Sequence, residues 1–392
     1  MISSFIINYV FSTYLKLRQI RKIRSDTTSK YLSEEEFKKV KAYNLDKLHF
    51  SVVTSLFKVV MECLTVSYKL LPLGLSLFKF PYPILNQTLF YVLYLFLLSF
   101  IDIPFDLFYN FYIEVKHGFS TMTLKTFALD FVKNSLISLG VILVLMPSLL
   151  WIMSRFTSFY FYAFVFMVTF QLLMILIYPD YIQPLFNKFA ELEEGSLKEE
   201  IRKLATQLNF KVSKIFKVDE STRSHHSNAY FTGLFKEKRI VLFDTLLEKT
   251  EDRQILSILC HEFGHAKLFH IPKKLALSIV TMFIYTYIFN LTVNLIKCED
   301  VIKMVYFMFL STIVEIPLKL ITNMLNRKWE IQADYFAVKL KYGKDLGTAL
   351  VKLHKDNKSI VNSDNLYSMF NYSHPTLGER LECIENEMKR NE

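Results

Sequence analysis

Apolar residues run along this chain in long, nearly uncharged stretches, not in the short alternations of soluble helices and strands. Residues 275–296 hold no charge, and about 20 such residues cross the hydrocarbon of a bilayer as one helix. Residues 2–15, 84–101, 134–153 and 158–178 read in the same way. Two further stretches are impure. Residues 52–78 include Lys58, Glu62 and Lys69, and residues 304–325 are interrupted by Glu315, Pro317 and Lys319. Ionisable groups are costly in lipid, so these two spans are expected to face a protein interior or a water-filled cavity. Lys58 and Glu62 lie one helical turn apart and are placed to pair. The pattern predicts seven spans.

The first span is followed, not preceded, by basic residues: Lys16, Arg18, Arg21, Lys22 and Arg24. That argues against a secretory signal peptide. It also favours a cytoplasmic 16–48 loop, with the N-terminus on the lumenal side and the C-terminus in the cytoplasm. Loops 16–48, 102–133 and 179–256 are long and basic or mixed, whereas those between them are short, in keeping with that orientation. The resulting division is 1–178 for spans one to five, with cytoplasmic loops 16–48 and 102–133. A cytoplasmic subdomain follows at 179–274, then spans six and seven at 275–325, and a cytoplasmic C-terminal part at 326–392. Within the subdomain an amphipathic helix is expected over 197–208, with Leu197, Ile201, Leu204 and Leu208 on one side. Strand-like runs follow at 214–218, 229–231 and 239–243.

Composition agrees with the membrane class: 52% hydrophobic residues and a mean hydropathy of +0.25 over 392 residues. A net charge of +10 suits loops lying against an anionic leaflet, and no nucleic-acid module accompanies it, so no nucleic acid is expected as partner. Four cysteines without paired close spacing indicate neither a disulfide framework nor a cysteine metal site. Cys260, beside His261, reads as a small buried residue and not as a nucleophile.

Candidate chemistry is concentrated at 261–265. His261 and His265 are four apart, so on a helix both imidazoles reach one zinc ion, with Glu262 beside it as general base. A chain of this length holds such a pattern by accident in roughly 0.01 to 0.02 cases. A zinc hydrolase needs a third protein ligand and an open position for water. Glu330 supplies a candidate, and Asp334, one turn later, can accept a hydrogen bond from the free ring nitrogen of a ligating histidine. The small residues Ala333 and Ala337 would let the two helices approach. Without the upstream histidines, Glu330 and Asp334 would read as a solvated helix face.

The strings HEFGHAKLFH (261–270), NRKWEIQADYFA (326–337) and YSHPTLGERL (372–381) resemble the type I CAAX prenyl protease family. So do HSNAYFTGLFKEKRIVLFDTLLEK (226–249), DIPFDLFYNFYIEVKHGFSTMTLKTFALDF (102–131) and KAYNLDKLHFS (41–51), in the same order over about residues 35–385. The resemblance implies a mainly α polytopic membrane protein. Seven transmembrane helices would enclose a large chamber, and a small α+β zinc-metalloprotease subdomain would close the cytoplasmic side. It implies His261, His265 and Glu330 as ligands of one zinc ion and Glu262 as catalytic base. It also implies Asn228, Ala229, Tyr230 and Phe231 as an edge strand that binds substrate through the backbone. His374 would stabilise the oxyanion and Arg380 would orient Asp334 or the substrate. The implied substrates are prenylated CAAX-terminated proteins or peptides, met at the membrane lipid of the endoplasmic reticulum or the inner nuclear membrane by an enzyme expected to be monomeric. Removal of the C-terminal tripeptide is the implied reaction, with a second upstream cut in prospect. Two rival readings stand beside it, a membrane quality-control protease without a prenyl requirement and a non-catalytic scaffold. The sequence departs from the family in an abbreviated N-terminus and in Glu220, where glycine is expected before Ser221. The terminal KRNE loosely resembles a dibasic retrieval signal.

Overall fold

The computed structural model describes residues 2–232 and 238–391; Glu392 of the KRNE terminus and residues 233–237 of the 226–249 string lie outside the described residues. Long helices dominate: α1 (Ile2–Ser25), α2 (Glu34–Ser67), α3 (Pro83–Phe108), α4 (Leu124–Arg155) and α5 (Phe159–Ile177). The sheet subdomain follows, with α6 (Ser196–Gln207) inserted between its strands and α7 (Asp252–Lys267) leaving it. Then come α8 (His270–Thr292), α9 (Asp300–Lys339), α10 (Gly343–Asp356) and α11 (Leu377–Asn391).

Among the described residues, six helices are long and apolar enough to span a bilayer: α2, α3 with its continuation to Lys116, α4, α5 with its continuation to Leu185, α8 and α9. The helix α1, expected as the first of seven, is not among them. It nevertheless packs against both α2 and α9. Neighbour contacts pass from α1 to α2, α3, α4, α5, α8, α9 and back to α1, a closed circuit of seven helices. Ring pairs such as Phe164 with Phe283 and Phe159 with Phe289 show α5 and α8 antiparallel, as consecutive members of the circuit are, whereas α9 and α1, where an odd number of helices closes, run parallel, Phe5 meeting Phe309 and Lys16 lying near Lys319. The connections 68–82, 156–158 and 296–299 therefore lie at one end of the circuit and the sheet subdomain at the other.

Three sequence expectations are corrected. The 16–48 and 102–133 segments are not open loops: α1 and α2 extend through most of the first, and α3 with its continuation and α4 through most of the second. The helix α2 starts at a capping box in which the Ser33 hydroxyl accepts from Glu36 N–H and the Glu36 carboxylate accepts from Ser33 N–H. Lys58 is paired with a neighbouring helix instead of Glu62: its Nζ lies 3.2 Å from Asp102 Oδ1 on α3. Interhelical pairing satisfies the charge of each helix with that of its neighbour, which an (i, i+4) pair along α2 cannot do. Third, the 304–325 span and the third-ligand helix are one element, the 40-residue α9, about 60 Å long. Pro317 sits inside it without ending it.

The sheet has the order β1 (Phe189–Glu191), β2 (Val212–Val218), β4 (Lys238–Phe243), β3 (Ala229–Thr232). The β2–β4 pair is parallel and the other two are antiparallel. Its core joins Ile215, Ile240 and Leu242 of the strands to Ile201 and Leu204 of α6, Leu259 and Phe263 of α7, Ala337 of α9, Leu346 of α10 and Leu377 of α11. Glu220 opens a short 3-10 turn without a positive φ, so glycine is not required there, and Asn187 Nδ2 donates to its carboxylate at 3.0 Å.

Candidate active site

The helix α7 is buried on nearly all sides from Ile255 to Ala266, and it crosses α9 where Gly264 faces Ala333. A Cβ built at Gly264 would come within 3.1 Å of Ala333 Cα and 3.0 Å of Phe336 Cβ, so this approach uses the absence of a side chain at 264 as well as the small one at 333. The close crossing brings Glu330 to the two histidines. Glu330 Oε2 lies 3.3 Å from His261 Nε2, Glu330 Oε1 lies 3.3 Å from His265 Nε2, and the two Nε2 atoms are 3.1 Å apart.

Hydrogen bonds on the far side of each ring set the protonation. His261 Nδ1 is 2.7 Å from Asp334 Oδ1, so Nδ1 donates and, in the neutral ring, Nε2 presents a lone pair. Asp334 is fully buried and is held by Arg380, whose Nη2 and Nε donate to its two oxygens at 2.6 and 2.9 Å. Burial favours a neutral His261, but Asp334, with Glu330 adding, pushes the imidazole up to about 9. The same Asp334 carboxylate overcomes burial to raise the Arg380 guanidinium further. Without a metal the Glu330 carboxylate thus attracts a proton on His261 Nε2; once that proton leaves, the Nε2 atoms of both histidines and the Glu330 carboxylate converge as acceptors. Such a set of three acceptors is repulsive alone and fits a divalent cation.

Glu262 projects into the same cleft, and burial pushes its carboxyl up against the pull of His261 and His265. The cleft holds about 380 Å³ and is lined by Asn228, Ala229, Tyr230 and Phe231, by His261, His265 and Glu330 and by His374 and Arg380, with Leu246, Ile258, Leu346 and Leu350 as an apolar wall. Every sequence-predicted site residue except Asp334 lines it, and Asp334 lies immediately behind His261. His374 Nε2 stands 3.4 Å from Glu330 Oε1. The main-chain register of β3 is informative. Phe243 N–H donates to Asn228 C=O at 3.1 Å, so alternate residues of β3 bond to β4, and the N–H and C=O of Ala229 and Phe231 point to the open edge. Among the described residues, the Ala229 N–H is met there only by its neighbour's side chain, Asn228 Oδ1 at 2.9 Å. Cys260 is fully buried, and burial pushes its thiol up to about 12, so no thiolate is available for chemistry.

Sequence reasoning missed Gly264, His270, Trp329, Gln332 and Lys274. His270 stands behind the second of the paired histidines: its Nδ1 lies 2.9 Å from His265 Nδ1. It stands five residues after His265, off the i+3 and i+4 face of a single helix, so periodicity gave no reason to group the two. Lys274 lines the cleft and its ammonium favours the ionised Glu262; a lone lysine at the mouth of a span carries no sequence signal.

The family described as CAAX prenyl protease N-terminal, five membrane helices, matches residues 13–188, and peptidase family M48 matches residues 191–388. The chain is similar to a CAAX prenyl protease 1 homolog of Arabidopsis thaliana, 38% identical over 98% of this chain and 96% of the relative. It is 33% identical to the Homo sapiens homolog, over 96% of this chain and 93% of the relative. Among solved structures it resembles S. mikatae Ste24p, with a TM-score of 0.93 and 31% identity over 98% of this chain and 97% of that one.

Proposed function

The chain belongs to peptidase family M48, within its CAAX prenyl protease line, and from that premise we propose that it is a zinc endopeptidase of the endoplasmic reticulum membrane that removes the C-terminal tripeptide of prenylated CAAX proteins. The observation that carries the reading is the donor set. Tetrahedral zinc with bonds of about 2.0 to 2.1 Å has ligand-to-ligand edges of about 3.3 Å. The separations among His261 Nε2, His265 Nε2 and Glu330 are 3.1 to 3.3 Å. Bound there, zinc supplies Lewis acidity to a carbonyl and lowers the pKa of water.

The chain's own residues supply the rest. An extended substrate adds to β3 through the main chain of Ala229 and Phe231, which sets its register but reads little of its side chains. Glu262 takes the proton of the attacking water and returns it to the leaving amine. His374, exposed on one side and reaching into the cleft, donates Nε2–H toward the developing oxyanion. Asp334, behind the cleft and held by Arg380, fixes His261. The circuit of seven helices, with α1 as its seventh member, would surround a chamber that admits the peptide while the prenyl chain rests in or beside the bilayer. The metal end would face the cytoplasm.

The test is cleavage of a prenylated C-terminal peptide and its bare twin by purified protein. Wild type is expected to prefer the prenylated peptide, and Glu262→Gln to keep one metal ion per chain while losing roughly 100- to 10,000-fold in rate. Equal cleavage of both peptides would replace the CAAX reading with that of a quality-control protease lacking a prenyl requirement. Full activity in Glu262→Gln would end the mechanism.

A further inference from the structure

The two histidine ligands are supported differently. Behind His261 stands a carboxylate; behind His265 stand a second imidazole and an amide. The ring of His270 lies fully buried between His265 and α9, with Nδ1 2.9 Å from His265 Nδ1 and Nε2 3.1 Å from Gln332 Oε1. It stacks on Trp329, with centroids 5.8 Å apart and planes at 20°.

An elbow puts it there. The helix α7 ends at Lys267 and α8 begins at His270, with Phe269 between them in the left-handed region at φ 57° and ψ 35°. Non-glycine residues adopt that conformation seldom, because Cβ then crowds the following carbonyl oxygen. The Phe269 side chain is 67% exposed and gains little by it, whereas the next residue is wholly enclosed. The left-handed turn therefore serves the placement of His270.

Proton positions follow from the far end of the chain of bonds. Gln332 offers its carbonyl oxygen, so His270 Nε2 carries the proton and its Nδ1 is a lone-pair acceptor. His265 Nδ1 must then be the donor, and His265 Nε2 is left as a lone pair facing Glu330. Reversing the amide would reverse each step and leave His265 Nε2 protonated, unable to ligate.

We propose that His270, oriented by Gln332, is a positioning residue of the metal centre: it fixes the tautomer and ring plane of His265 and ties the first turn of the membrane helix α8 to the ligand set. It acts through His265 and neither bonds the cation nor carries the reaction. The inference rests on the metal assignment above.

The experiment is metal affinity of the purified full chain, by competition with a chelating dye. His270→Phe keeps an aromatic ring over Trp329 but removes the acceptor. It is expected to weaken zinc binding about 10- to 100-fold, with unchanged thermal unfolding of the metal-free protein. Gln332→Leu, which preserves the His265 contact but frees the tautomer, is expected to weaken binding by a smaller factor. The double variant should be no worse than His270→Phe alone, because both act through one nitrogen. Should His270→Phe fail to fold, Gln332→Leu decides the matter. Zinc affinity within twofold of wild type in the folded variants, with His261→Ala losing the metal in the same assay, overturns the proposal and leaves the trio intact. Retention of the metal by His261→Ala as well would show the trio itself to be misassigned, and the proposal would fall with it.

Discussion

Arg380 and Asp334 are both buried and joined by two hydrogen bonds of 2.6 and 2.9 Å, so neither charge can be removed without stranding the other. Arg380→Met is expected to destabilise the protein by about 3–5 kcal/mol, read as a lower thermal midpoint, and to weaken metal binding because Asp334 no longer holds His261 firmly. Glu262 illustrates the opposite cost. Its carboxyl is pushed up by burial in the metal-free protein, so the folded chain holds that proton more tightly than the unfolded one. Stability from this group is therefore greatest below the unfolded glutamate pKa of about 4.3 and is lost as pH rises toward the folded value. Metal-free Glu262→Gln is expected to melt above metal-free wild type at neutral pH, and the gap should close below about pH 4. A gap that widened on acidification would contradict the assignment. At this scale HEFGH declared its own chemistry, because two ligands and a base on one turn need nothing beyond helix geometry. Gly264 and His270 were not legible, because their roles depend on a crossing and an elbow that no short-range pattern encodes.

Among the elements, β3 and α9 bring an open strand edge and Glu330 to the cleft. The strand β3 lies at the edge of the described sheet, with the main chain of Ala229 and Phe231 turned outward. Replacing the substrate amide that pairs with this edge by an ester removes one donor. KM is then expected to rise about 5- to 10-fold, the worth of one hydrogen bond of about 1 kcal/mol, with little change in kcat; no change in KM would argue against strand addition. The run 229–231 was legible as a strand from its composition, but β1, three residues long, was not: so short a segment becomes a strand only by pairing with β2. In α9 the apolar pattern ended near 325, yet the helix continues to Lys339 because its distal half buries Ala333 and Ala337 in the subdomain core. One rigid element thus spans the bilayer and carries Glu330.

Taken whole, the chain closes a circuit in which α1 touches α9 and the segment before α11. Gln19, fully buried, accepts from Ser363 Oγ at 2.9 Å and Asp364 N–H at 2.7 Å, and Arg18 donates to Asp364. Residues some 345 positions apart in sequence therefore hold one another. The alternating direction of consecutive helices predicts opposite exposure for the two ends of the circuit. In a cysteine-free background and sealed membranes, a thiol introduced by Lys297→Cys, between α8 and α9, is expected to react with an impermeant reagent only from the face where Glu248→Cys, in the sheet subdomain, does not. Reaction of both from one face would refute the arrangement.

Hydrophobic runs, the residue types at 261–265 and the pair at 330 and 334 determined by themselves that this is a multi-span membrane protein with a metal-dependent hydrolytic site, because bilayer thickness and helix periodicity act over a few turns of chain. Only tertiary structure decided that Lys58 meets Asp102, that α1 closes the circuit, and that His270 stands behind His265. Those contacts join segments whose separation along the chain bears no relation to their distance in space, and they exist because each buried polar group must find a partner wherever the packing supplies one.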